Sequence, residues 1–170
     1  MISSKRFMAL SSLLALGALL AGCTPSGRAS PRATAPVAAQ PAKVGIQARI
    51  GTLPPQDLSA GTCGLFLWAR SAERNMIFYA TDRTATAQMM VDGKPVSLPR
   101  SLAEGDLVFG HYTTQEFAQG DLRVRAVIAP QPNSGIIGGA VVRRGMLNVS
   151  DGTGPDLVLP VAGLIACKAA

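Results

Sequence analysis

Groups that perform chemistry are scarce in this 170-residue chain, which has one histidine, one tryptophan, three cysteines and only 5% aromatic residues. Each scarcity closes off a class of function. His111 alone cannot build a zinc site with the few scattered carboxylates. No Gly-x-Ser-x-Gly elbow accompanies it, so a triad with Asp106 would have no placed nucleophile. The chain contains no Cys-x-x-Cys, which removes the usual redox and zinc spacings. Gly135, Gly138 and Gly139 are followed by no Lys-Ser or Lys-Thr, so they form no phosphate loop and are read as bulges or tight strand contacts. Met76, Met89, Met90 and Met146 lack a Met-x-x-Met pattern that would gather copper, and core packing is expected for them. No cofactor and no metal are implied.

Acidic residues are missing before Asp57, and this explains the net charge of +6. Lys5, Arg6, Arg28, Arg32 and Lys43 account for the excess, whereas from Arg49 onward eleven basic residues face ten acidic ones. A near-neutral domain with interspersed charges lacks the basic stripe that neutralises phosphates, so no nucleic-acid partner is expected.

Long hydrophobic runs are also lacking. Met8 to Leu20 is an uncharged, mostly apolar run of thirteen residues behind Lys5 and Arg6. As a helix it would span about 20 Å, short of the ~30 Å hydrocarbon layer, so it reads as an export signal over residues 1–22. The run closes with Leu20-Ala21-Gly22-Cys23, which resembles the lipobox of bacterial lipoproteins. The resemblance implies that a diacylglycerol is joined to the Cys23 sulfur, that the signal is cut before Cys23, and that the freed amino group is acylated in turn. Several acyl chains anchor stably where one is marginal. The membrane lipid reached through acylated Cys23 is thus the first expected partner. Thr24 follows the cysteine, where an aspartate commonly favours inner-membrane retention. The expected location is the periplasmic side of the outer membrane, with the inner membrane as the alternative. An ordinary secretory signal cut elsewhere is the competing reading.

Residues 23–45 carry Ala, Pro, Ser, Thr and Gln with Pro25, Pro31, Pro36 and Pro41 at intervals of five or six. Such a composition buries too little to offset its ordering entropy and is expected to be a disordered tether.

Residues 46–170 read as one all-β domain, a small antiparallel barrel or sandwich of about eight to ten strands, because short apolar runs alternate with turn residues and no helical period is sustained. Leu65 to Trp68 is apolar on both faces and is expected to be a central strand. Asp92-Gly93 between Met89-Met90-Val91 and Lys94 to Leu98 predicts a type I′ hairpin. Leu122, Val124, Ala126 and Ile128 alternate with Arg123, Arg125 and Val127, which predicts one buried face. Further strands are expected at Leu107 to Tyr112, Ile136 to Arg143, Met146 to Ser150, Leu157 to Pro160 and Val161 to Cys167.

With Cys23 assigned to lipid, Cys63 and Cys167 remain. An even remainder in an exported chain points to a disulfide that joins the beginning and end of the β domain, the alternative being two separate thiols. Glu104, Asp106, Glu116 and Asp121 lie close enough in sequence to suggest a glycosidase pair, but turn-like settings favour solvated carboxylates. No catalytic residue is therefore assigned. The expected function is a non-enzymatic binding or structural module that meets an envelope protein or a cell-wall component through an apolar patch around Phe66, Trp68 or Phe117. The alternative is an envelope enzyme acting on glycan or lipid. The organisation also resembles the membrane-bound lysozyme-inhibitor lipoproteins in its lipobox, small β-barrel and terminal disulfide, although their Ser-Gly-x-x-Tyr-like loop is not found. More broadly, the folded segment resembles uncharacterised proteobacterial lipoproteins, a likeness that implies no activity.

Overall fold

Two-residue turns at 92–93, 109–110 and 120–121 fold this chain back on itself. Asp92 and Gly93, with φ of 51° and 71°, make the expected hairpin, and Val91 pairs with Lys94 across it. Positive φ at both centres matches the right-handed twist of the flanking strands. The computed structural model describes residues 44–132 and 135–170; the expected signal, Cys23 and the expected tether as far as residue 43 lie outside them. After a single helical turn α1 (Ile46–Arg49) and a short β1 (Ile50–Gly51) come β2 (Cys63–Ala69), β3 (Met76–Thr81), β4 (Thr86–Val91) and β5 (Lys94–Val108). Then follow β6 (His111–Gln119), β7 (Leu122–Pro132), β8 (Gly139–Ser150) and β9 (Leu157–Cys167).

Strands β2 to β9 each pair antiparallel with the next, and β9 returns to pair with β2. The result is an eight-stranded up-and-down barrel, with β1 added to the edge of β4 beyond the reach of β3. Closure leaves the eight strands with no continuous free edge, which removes the usual template for strand-on-strand aggregation.

The strands alternate inward and outward as a closed sheet requires. On β7, Val124, Ala126 and Ile128 are buried while Arg123, Arg125 and Val127 are exposed, as their spacing predicts. At this strand number the interior is just wide enough for side chains to fill it. Leu65, Leu67, Leu98, Leu147 and Ile165 do so, with Phe78 and Phe117 meeting edge to face at 5.5 Å between ring centroids.

The strand expected at Lys94 to Leu98 runs on to Val108, β6 beyond Tyr112 matches no expected strand, and three further strand boundaries need correction. Leu107 to Tyr112 is not one strand, because Phe109 and Gly110 turn the chain with φ of 47° and 76° and Val108 pairs with His111. A phenylalanine at positive φ is unusual, and the continuous apolar run hid the turn. The two segments expected around Arg143 and Arg144 are one strand, β8, which absorbs these arginines in a bulge between Val142 and Gly145. Leu157 to Cys167 is likewise continuous through Pro160. Pro160 sits just past the last β2–β9 pair, Ala69 with Val161, so its missing N–H leaves no rung of that ladder unmade.

Both barrel ends are covered. Ile46 of α1 joins the core, and Arg49 donates from Nε and Nη2 to Asp92 in the β4–β5 turn and from Nη1 to Asp151 after β8. Asp151 also accepts from the Thr153 N–H at 3.0 Å, which fixes that loop. At the opposite end the β5–β6 tip folds inward, so that Gly110 lies against the Asp82 side chain and His111 is fully buried.

The seam between first and last barrel strands runs over seven residue pairs, from Cys63–Cys167 to Ala69–Val161. Cys63 and Cys167 are disulfide-bonded, with 4.0 Å between their Cα atoms and 104 residues of sequence separation. Within the seam Gly163 passes so close to the Phe66 carbonyl that a Cβ would overlap it. Reduction should lower the denaturation midpoint by an amount worth about 2–5 kcal/mol, and Cys63→Ala, Cys167→Ala and the double variant should cost the same within error, as read by urea unfolding. Gly163→Val should be destabilising with the disulfide intact, because here the clash is with backbone that cannot rotate away.

Candidate functional site

An up-and-down barrel with a filled interior has its recognition surfaces outside, so the outward residues decide what it can bind. On β2 these are Phe66 and Trp68. Register places Phe66 beside Tyr79 on one side and Leu164 on the other, and Leu164 beside Val141. One step along, Trp68 lies beside Ala162, which faces the bulge carrying Arg144. A further step brings Pro160, Met146 and Val127 side by side. The outer wall of β2, β9 and β8 is thus largely apolar over three rows, interrupted by the arginines of the β8 bulge.

Part of this surface is covered by a second layer. Beyond β1 the chain crosses the outside of the barrel, with the Leu53 N–H donating to the Met76 carbonyl at 2.7 Å. Leu53 is buried against Met76 and Tyr79, and Leu58, Phe66, Trp68 and Met90 pack around them. Phe66 lies 5.0 Å from Tyr79 and 6.4 Å from Trp68 between ring centroids. Burial pushes the Tyr79 phenol above its ordinary value, and the Asp57 and Asp82 carboxylates add to the effect. Between this strap and β9 remains a groove of ≈ 560 Å³, lined by Leu53, Pro55, Phe66, Trp68, Met76 and Leu164 among others. Phe66 and Trp68 stand half-buried on an outer apolar surface. Phe117 does not: it is 1% exposed inside the barrel, because its position on β6 alternates with the outward Glu116 and Ala118. The patch loses that member.

A second, polar groove of ≈ 280 Å³ crosses the outer face of β6, β7 and β8. Arg125 pairs with Glu116 at 3.3 Å, and Arg123 lies between Ala118 and Ser150. The suggested carboxylate cluster is dispersed: Asp106 sits in the β5 bulge near the His111 end, Glu116 is midway along β6, and Asp121 is in the turn at the α1 end. Among the described residues no group of three or more His, Cys, Asp or Glu side chains could hold a metal ion. The core packing expected of the methionines holds for Met89, while Met76 and Met90 pack together in the outer layer and Met146 is exposed on β8, where its outward register position sets it.

His111 has a structural setting. A carbonyl can only accept, so its Nε2–H donates to the Cys63 carbonyl at 3.2 Å, while buried Nδ1 has no partner among the described residues. The same Cys63 exchanges two bonds with Asp82, from the Cys63 N–H to Oδ1 at 3.0 Å and from the Asp82 N–H to the Cys63 carbonyl at 3.1 Å. Gln115, buried beside the same end, accepts from Arg100 at 3.0 Å and donates to the Tyr112 carbonyl. Burial holds the imidazole below its ordinary value and Arg100 acts in the same direction, while the Cys63 hydrogen bond and Asp82 oppose them.

Neither the strap nor the Arg49 clamp was found by sequence reasoning. The available signal was that β2 and β3 are apolar on both faces, which requires a layer outside the barrel as well as a core inside it. No family model matches the chain, and comparison with curated proteins and with solved structures finds no match.

Phe117→Ala should cost about 3–5 kcal/mol of unfolding free energy, as for a large buried aromatic, and leave surface binding to be scored separately. For His111 the folded-state value lies below the unfolded 6.5, so its contribution to stability is complete above that pH and is lost as pH falls toward the folded value. The melting temperature should drop over this window, and His111→Gln, which keeps a donor for Cys63, should flatten that part of the profile.

Proposed function

We propose that this protein is a lipid-anchored envelope module that works by surface binding, held through acylated Cys23 on the periplasmic side of the outer membrane. The observation that carries the reading of its mode of action is the filled interior: with Phe78, Phe117, Leu65 and Leu147 occupying the barrel lumen, recognition falls to the outer wall. The strap side of the apolar groove, where Leu53, Pro55, Met76 and Phe66 line it, suits an envelope protein or a cell-wall component. Leu20-Ala21-Gly22-Cys23 behind a charged head and an apolar run supports the anchor. A bonded Cys63–Cys167 pair is in keeping with an oxidising compartment. The strand pattern is also that of a barrel standing in water, since a membrane-spanning barrel has a polar lumen and an apolar outer band, whereas here the lumen is apolar and β7 presents Arg123 and Arg125 outward.

Radiolabelled palmitate supplied to growing cells should enter the wild-type protein and be lost in Cys23→Ser, whose signal should also remain uncut. Equal labelling of the two would overturn the anchor.

A further inference from the structure

The strap over β2 and β3 leaves the rest of the apolar wall without a partner. Met146 is 49% and Val158 51% exposed, Pro160 is exposed between them and Trp68, and the row through Leu164 is only half-buried. A wall of this kind on a water-facing barrel needs an occupant.

Its charge says which one. Strand carboxylates occur only on β5 and β6; β2, β7, β8 and β9 carry none. The charges on those four strands are Arg123, Arg125, Arg143 and Arg144; in the loop that follows β2 at the border of the same wall, Arg70 and Arg74 outnumber the single carboxylate Glu73, which accepts from Asn75. Glu116 neutralises Arg125, but among the described residues Arg70, Arg74 and Arg144 form no ion pair. Arg144 stands in the row of Trp68 and Ala162, so a guanidinium, small side chains and an indole share one line. Indole rings favour the level of lipid head groups, and cations beside them favour anionic ones. A second copy of the chain docked by this wall in a twofold contact would bring like-charged arginines together.

We propose that the outer wall of β2, β9 and β8 docks on an anionic phospholipid surface, with Trp68, Leu164 and Met146 against the head-group boundary and Arg70 and Arg144 on the phosphates. This rests on the anchored reading above and adds to it: the lipid on Cys23 fixes the protein to a bilayer, and the wall fixes which face the barrel turns toward it. The distance allows this, because the 22 residues from Thr24 to Gly45 reach roughly 26 Å even as a random coil. An apolar wall presses only weakly on neutral head groups, so the guanidinium groups make the docking depend on lipid charge and on salt.

The single tryptophan is a built-in probe of the wall. The purified full-length acylated protein would be mixed with vesicles of phosphatidylcholine alone, or of phosphatidylcholine with phosphatidylglycerol, each with brominated acyl chains. Anionic vesicles should quench Trp68 emission and protect it from acrylamide by about twofold or more, an effect reversed by salt and lost in the Arg70→Ser, Arg144→Ser double variant. Flotation reads the anchor separately. Protein that floats with both vesicle types while Trp68 responds to neither overturns the docking and leaves the anchor standing. Protein that floats only with anionic vesicles, and is released by salt, supports the docking and overturns the anchor. Trp68 shielding that appears in both lipids and grows with the protein-to-lipid ratio would mean that a second copy covers the wall, and would overturn the proposal.

Discussion

Everything in this barrel depends on β9 finding β2. The seven remaining strand contacts around the barrel join neighbours in sequence and form through short connections, but the β2–β9 seam joins segments about a hundred residues apart. Its closure is the entropically expensive step, because long-range pairing must be made before it is rewarded. Three features act at that seam. The disulfide removes part of the loop entropy from the unfolded chain. Gly163 lets β9 approach the Phe66 carbonyl. The alternation of Leu65, Leu67, Ile165 and Val161 inward makes a one-residue slip cost the whole register, since it would turn the core residues to water.

Closure then dictates where function can be. A ring of eight strands leaves a lumen the size of its own side chains, and the ends are stopped by Ile46 with Arg49 on one side and by His111 on the other. The Asp92 side of the Arg49 clamp is solvated, so that ion pair positions the β4–β5 turn more than it stabilises the fold, whereas the Asp151 side is part-buried. Asp92 and Asp151 both sit below their ordinary values, chiefly through the hydrogen bond from Arg49 in the first case and from Thr153 in the second.

Elements governed by local chemistry were legible in the sequence. Asp92-Gly93 names its turn, and Leu122 to Ile128 names its buried face, because both signals lie within a few residues of one another. The cysteine pairing was legible by arithmetic once Cys23 was set aside. The misreadings share a cause: in each, a residue's neighbours in space were not its neighbours in sequence. Phe117, flanked by Glu116 and Ala118, looks like an exposed ring until Phe78 is placed across the lumen. Phe109 looks like a strand residue until Gly110 is found pressed on Asp82. Leu53, which the sequence assigns to no strand, gains a role only when Met76 and Tyr79 are seen to need cover. Of the apolar site, Phe66 and Trp68 were found because β2 is apolar on both faces, whereas Leu164, Pro160 and Met146 join them only through a register that no local pattern encodes.

That register also separates two kinds of outward apolar residue that composition alone would merge. Met76, Tyr79 and Phe66 face outward and are satisfied by Leu53 and Leu58, so the chain itself supplies their second layer. Trp68 stands at the border, partly buried against that layer, and Pro160 and Met146 face outward one and two strands further round, outside the cluster the strap forms. A barrel that covers part of its wall with one segment and leaves the adjoining part bare, bordered by arginines and free of strand carboxylates, has divided its exterior into a face that holds the fold together and a face left open. The division follows from where the chain enters. Because α1 closes one end and the strap climbs only the β3 and β2 side, every strand from β9 to β7 keeps its outer surface open.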